Sequence, residues 1–194
     1  MKRARLYIIG TVMFTMLLAL NSSAQSTVDS KESARVFVQQ FYDWYSKIYA
    51  QKRHILAHLE VLTHKPQYLD MQLLNALLAD DRASEKRPMQ IIGLGFDPFT
   101  NTLDARKGFQ TGMVIQKGNK FLIDIHDIRI GRSKRAVLAS KLVLTAEVVK
   151  MNGHFVFDNF IYPKTGGYIR DGNNLLNVLD SLHKDRVRRG IEKI

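Results

Sequence analysis

Asn152-Gly153 constrains this chain more than any other pair of neighbours. A two-residue hairpin turn of the commonest kind needs positive φ at both central positions, and Asn-Gly accepts that most readily. Before the pair, Leu138, Ser140, Leu142, Leu144, Ala146 and Val148 alternate with positions that include Lys141, Thr145 and Glu147. A period of two predicts a strand with one wet face. After the pair, His154 to Tyr162 reads as its partner, ended by Pro163 and Gly166-Gly167. Upstream, Thr111 to Gln116 and Phe121 to Ile130 flank Lys117-Gly118-Asn119-Lys120, a second hairpin connection supplied with its glycine. Consecutive strands joined by such turns make an antiparallel sheet.

The period changes on either side of this block. Residues 30 to 84 read as helical, starting near Asp29 with Glu32 three residues on, a capping-box pattern. Ala34, Phe37, Val38, Phe41, Tyr45 and Ile48 recur in steps of three and four, which puts them on one face. Leu56, Leu59 and Leu62 either extend this helix or form a second one after a bend near Lys52. Pro66 forces a break, because the residue before proline disfavours helical backbone. Met71, Leu74, Leu77 and Leu78 then share a side of a further helix, and Leu175, Leu176, Leu179 and Leu182 make a final one amphipathic. Helices segregated from consecutive strands predict an α+β fold, with N-terminal helices packed on an antiparallel sheet and a short C-terminal helix.

Lys2, Arg3 and Arg5 precede an apolar run from Leu6 to Leu20, followed by Ser22-Ser23-Ala24. That is the pattern of a secretory signal, with cleavage expected between Ala24 and Gln25. The expected organisation is a leader over 1–24, a linker over 25–29, one domain over 30–188 and a basic tail over 189–194. The chain has no cysteine, which excludes disulfides, thiolate metal sites, a cysteine nucleophile and a lipoprotein anchor. The expected location is therefore periplasmic or extracellular, with membrane contact only through the leader before cleavage. The net charge is +11, or +8 once Lys2, Arg3 and Arg5 leave with the leader. An exported basic protein meets anionic envelope polymers rather than nucleic acid.

Phe41-Tyr42-Asp43-Trp44-Tyr45, Phe96-Asp97-Pro98-Phe99 with Asp104, the run His154 to Pro163 and Asn174 to Leu179 occur in an order that resembles a family of exported bacterial domains of unknown function. That family is placed among the nuclear-transport-factor-2-like, or cystatin-like, cone folds. The similarity covers most of residues 33 to 183, with Phe155 where the family often has tryptophan. It implies a strongly curved antiparallel sheet, lined by helices and enclosing a pocket. It implies no reaction, because such a fold hosts enzymes, binding modules and scaffolds alike.

Few residues suggest chemistry. Asp124 and His126 are two apart on a predicted strand, so they share a face, where a carboxylate can polarise an imidazole as general base. His54 and His58, four apart, can meet a zinc ion if helical, with Glu60 or His64 nearby, yet Lys52 and Arg53 oppose a cation there. Asp97 and Asp104 either cap backbone amides in the loop entering the sheet or grip a ligand at a pocket mouth. Of the six aromatics between Phe37 and Tyr49, Phe37, Phe41 and Tyr45 lie on the apolar stripe. Tyr42, Trp44 and Tyr49 lie to the side, and their polar handles suit a pocket rim. No nucleophile elbow, P-loop or HExxH motif occurs, and no cofactor is expected.

Arg129, Arg132, Lys134, Arg135, Lys184, Arg186, Arg188 and Arg189 are candidates for an anionic-binding surface. The expectation is a non-enzymatic exported module that binds a small ligand, an anionic envelope component or a protein partner. The alternatives are a small periplasmic enzyme using Asp124 and His126 in the cone pocket, and an immunity or inhibitor protein against a secreted toxin or wall hydrolase.

Overall fold

Both hairpin turns form where their glycines permit. The computed structural model describes residues 30–51, 57–86, 92–102, 108–130, 137–164 and 173–192. Strands β1 (Phe109–Lys117) and β2 (Lys120–Ile130) meet at Gly118, whose φ is 61°. Strands β3 (Val137–Met151) and β4 (His154–Ile161) meet at Asn152 and Gly153, with φ of 51° and 85°. These left-handed values at both central positions make the turn that matches the twist of the strands. The sheet is an antiparallel meander in the order β1-β2-β3-β4.

Its ladders slip at four places: Thr111/Val114, Ile125/His126, Asp127/Arg129 and Glu147/Val148. Such irregularities bend and twist the strands that carry them. The sheet therefore curves, and its inner face carries Phe121, Ile123, Ile125, Leu144, Ala146, Val148 and Phe157, all in the core. One slip also explains why Val143 and Leu144 are both buried, against strict alternation.

The helices pack on that inner face. Helix α1 spans 30–51, followed by α2 (Ala57–His64), a 3-10 turn (Pro66–Tyr68) and α3 (Met71–Glu85); α4 (Leu175–Arg188) comes after the sheet. Residues 52–56, with Lys52 and Leu56, lie outside the described residues, as does Asp29. Glu32 pairs with Arg35, at 2.6 Å. The break before Pro66 falls as expected, with α2 ending at His64.

The buried stripe of α1 is wider than its periodicity predicts. Ala34, Val38, Phe41, Tyr42, Tyr45 and Tyr49 are fully buried, while Phe37 and Ile48 are half-buried. On α3 the buried line is Leu73, Leu77, Asp80 and Ala83, so Met71 stands outside it, 67% exposed. Asp70 caps α3 by accepting from the Gln72 amide at 2.7 Å. Asn174 caps α4 in the same way through the Asn177 amide. Helix α4 closes at Gly190, where the Gly190 amide donates to Val187 and the Ile191 amide to Arg186. That pair of bonds needs the φ of 66° that glycine adopts.

Parts of both sheet edges are covered from within the chain. Gln39 of α1 presents its side-chain amide to β1 as a strand would present its backbone. It donates to the Phe109 carbonyl at 3.1 Å and accepts from the Thr111 amide at 2.8 Å. On β4, the Asp70 amide donates to the Phe157 carbonyl and the Tyr162 amide to the Asn173 carbonyl.

Candidate functional site

The loop Phe96 to Thr102 enters the core rather than a pocket mouth. Asp97 is 2% exposed and folds its carboxylate back onto the Phe99 amide at 2.9 Å. Tyr45 donates its hydroxyl to the same carboxylate. Around them, Tyr42 donates to the Phe99 carbonyl at 2.7 Å and Tyr162 to the Pro98 carbonyl at 3.1 Å. Burial pushes the Asp97 carboxyl up to about 7, against the pull of Tyr45 and the Phe99 amide. Burial likewise drives Tyr42, Tyr45 and Tyr162 upward. Asp97 is thus a loop cap, the backbone role open to it in sequence.

Tyr42 and Tyr49 accordingly do not line a rim. Both are fully enclosed, and for Tyr42 the hydroxyl meets an interior carbonyl, which lets it be buried like a phenylalanine. Trp44 is half-buried against Phe41 and Tyr45, with the Lys65 ammonium 6.0 Å from its ring centre. Asp104 lies outside the described residues.

Asp124 and His126 do share a face, and it is the outer face of the sheet. Asp124 accepts from the Thr145 hydroxyl at 2.8 Å, and no hydrogen bond joins it to His126. The His126 ring lies against Gly112, so close that a β-carbon there would come within 2.7 Å of Nε2. Its Nδ1 is buried without a hydrogen-bond partner among the described residues. An acid–base pair inside a pocket is not what these two residues form. Beside them, Lys120 bridges Glu147 and Asp158, with 2.7 Å to the latter.

His58 faces Asp80, whose ionised form it favours. His64 lies 3.6 Å from Glu60, and His54 falls outside the described residues. Among the described residues, no three histidines and carboxylates gather as a metal set.

The basic tail corrects the surface expected there. Arg186 is buried, 2.6 Å from Asp80 and 3.0 Å from Glu192. Arg188 and Arg189 both reach Asp185, and Lys184 reaches Asp180. These cations neutralise neighbouring carboxylates instead of forming an unpaired field. Arg132, Lys134 and Arg135, with the side chain of Arg129, lie outside what the structure describes.

Among the described residues, a groove that no single sequence motif announces lies at one end of the hairpin. It has a volume of about 790 Å³ and opens to solvent between α1, the 3-10 turn, the start of α3 and the β3–β4 hairpin. Aromatic rings make its floor: Phe37 stacks on Tyr68 at 5.4 Å and meets Phe155 at 6.0 Å. Met71 and Met151, 67% and 48% exposed, line it from opposite sides. Lys65, Gln67, Asp70, Asn152 and His154 supply polar groups. Pro66 and Asn152-Gly153, visible as a helix break and a turn, are what bring these walls together. Sequence alone does not say that two distant turns meet, and Met71 and Met151 read there as ordinary apolar positions. Comparison with family models, curated proteins and solved structures returns no match.

Proposed function

We propose that this protein is an exported, non-enzymatic binding module whose recognition surface is the groove between Tyr68 and the β3–β4 hairpin. The observation that carries the reading is the pair of solvent-exposed methionines flanking a floor of aromatic rings. Methionine is flexible and polarizable, and its exposure beside aromatics suits a surface that adapts to an apolar ligand. The volume is in the range of ligand-binding clefts, and few polar groups converge on it. Helices packed on a curved sheet are also the architecture that the cone-fold resemblance implies, and they support it to that extent. Export follows from the N-terminal pattern ending at Ala24.

The test uses the apolar dye 1-anilinonaphthalene-8-sulfonate. The wild-type protein should enhance its fluorescence. Met71→Gln and Met151→Gln should weaken the effect, whereas Met113→Gln, on the exposed part of β1, should leave it intact. No enhancement with folded wild type, or equal loss in all three variants, removes the groove from consideration. Mass determination of the mature N-terminus tests export separately: a start at Gln25 is expected, and retention of Lys2 to Leu20 would refute cleavage.

A further inference from the structure

We infer that the groove takes an extended, acidic peptide segment of a partner protein, which pairs with the free edge of β4 at Phe155. The inference rests on the reading of the groove as the binding surface and adds what occupies it.

The first support is backbone geometry. Met151 and His154 close a two-residue turn, and the register continues Lys150↔Phe155, Val149↔Val156, Val148↔Phe157 without a slip. In an antiparallel ladder, alternate residues direct both N–H and C=O toward the partner strand and then away from it. Phe157 faces away, since its carbonyl accepts from the Asp70 amide at 2.8 Å. Phe155, two residues earlier, faces the same way. Outside the β3–β4 ladder, its N–H and C=O make no hydrogen bond among the described residues. The chain covers β4 at Phe157 through Leu69 and Asp70, and at Ile161 through Asn174. Between the turn and Leu69, one outward donor–acceptor pair is left open beside the groove. An extended backbone is the ligand that satisfies such a pair, with its side chains directed alternately into and out of the groove.

The second support is charge. Lys65 and Lys150 flank this opening, each held over a ring: Lys65 over Trp44 and Lys150 over Phe155, at 6.0 and 5.7 Å. Neither has a carboxylate partner among the described residues, in contrast to Lys120, Lys184, Arg186 and Arg188. The single carboxylate in the lining, Asp70, accepts from the Gln72 amide as the cap of α3. Lys65 in the lining and Lys150 over the Phe155 ring thus set two cations beside an apolar floor. That combination selects apolar residues alternating with Asp or Glu, and repels basic segments.

Short random peptides displayed on phage, depleted on the Met71→Gln, Met151→Gln double variant and then selected on wild type, test this directly. Selected sequences should alternate apolar and acidic residues, and the synthesised peptides should shift the Phe155 amide resonance. N-methylation of the peptide bond paired with Phe155 should weaken binding by roughly ten-fold, since it removes a donor and adds bulk at the edge. Lys65→Glu with Lys150→Glu should weaken acidic peptides by at least about ten-fold. Failure to enrich any peptide, enrichment of basic peptides, or indifference to N-methylation would overturn the inference. So would groove-dependent binding to phosphatidylglycerol vesicles in place of peptides. If the dye binds the groove while peptides do not, the occupant is wrong and the binding surface stands; if neither binds, both fall.

Discussion

Arg186 meets Asp80 at 2.6 Å with both side chains almost wholly buried, joining the end of α4 to the middle of α3. The Asp80 carboxylate also accepts from the Leu94 amide at 2.8 Å, and Arg186 reaches Glu192 at 3.0 Å. One interior ion pair therefore ties together two helices, the loop before Phe96 and the turn after Gly190. Burial still outweighs these partners at Asp80, whose carboxyl lies above its ordinary value.

Removing Arg186 takes the shared guanidinium from Asp80 and Glu192, and removing Asp80 leaves the buried Arg186 with Glu192. Arg186→Met and Asp80→Asn should each cost about 3–5 kcal/mol in urea unfolding. The double variant should cost clearly less than the sum of the two, because neither Asp80 nor Arg186 is then left as an unmatched buried charge. Additive losses would show that the pair is not coupled.

The enclosure of Asp97 gives stability a pH dependence with a definite sign. Its folded carboxyl titrates at about 7, against 3.8 for the ordinary group. The folded state thus holds the proton more tightly, and its contribution is complete below about 3.8 and lost as pH rises through about 7. Wild type should lose on the order of a few kcal/mol across that window relative to Asp97→Asn. Asparagine keeps the oxygen that accepts from the Phe99 amide but cannot ionise. Chemical denaturation of both proteins at a series of pH values measures the difference, and parallel profiles would contradict it.

Much of this architecture is legible in the residues. The two hairpin turns and the break at Pro66 come from local backbone preferences and appear where expected, whereas the alternation before Asn152 slips at Val143, which sets Leu142 opposite His126. What was not legible depends on partners distant in sequence. Arg186 reads as a surface cation because its two carboxylate partners include Asp80, 106 residues away. Tyr42 reads as a rim residue because periodicity does not reveal that Phe99 offers it a carbonyl. The groove is missed for the same reason: Tyr68 and Phe155 each touch Phe37, and nothing local links the two turns that carry them.

Gln39 offers a sharper test of how β1 is kept from pairing with other chains. Its amide satisfies Phe109, Thr111 and the Thr111 hydroxyl together. Gln39→Leu keeps the helix and similar bulk but strands a partly buried donor and acceptor. The expected cost is about 1–3 kcal/mol, with faster hydrogen exchange at the Thr111 amide. The freed edge should also raise self-association, which analytical ultracentrifugation would detect. Unchanged exchange at Thr111 would show that the side chain is not its protector.

Tyr42→Phe separates the interior aromatics from the groove. The variant loses the 2.7 Å bond to the Phe99 carbonyl in a fully buried site. Its stability should fall by about 1 kcal/mol, the usual net worth of one such bond. Dye and peptide binding should not change, because Tyr42 does not line the groove, whereas Phe155→Ala should impair both while removing a ring that packs on Phe37 and Phe121. Thermal unfolding and fluorescence titration of the two variants side by side distinguish these roles. A binding defect in Tyr42→Phe at temperatures where it remains folded would return recognition to the interior of α1.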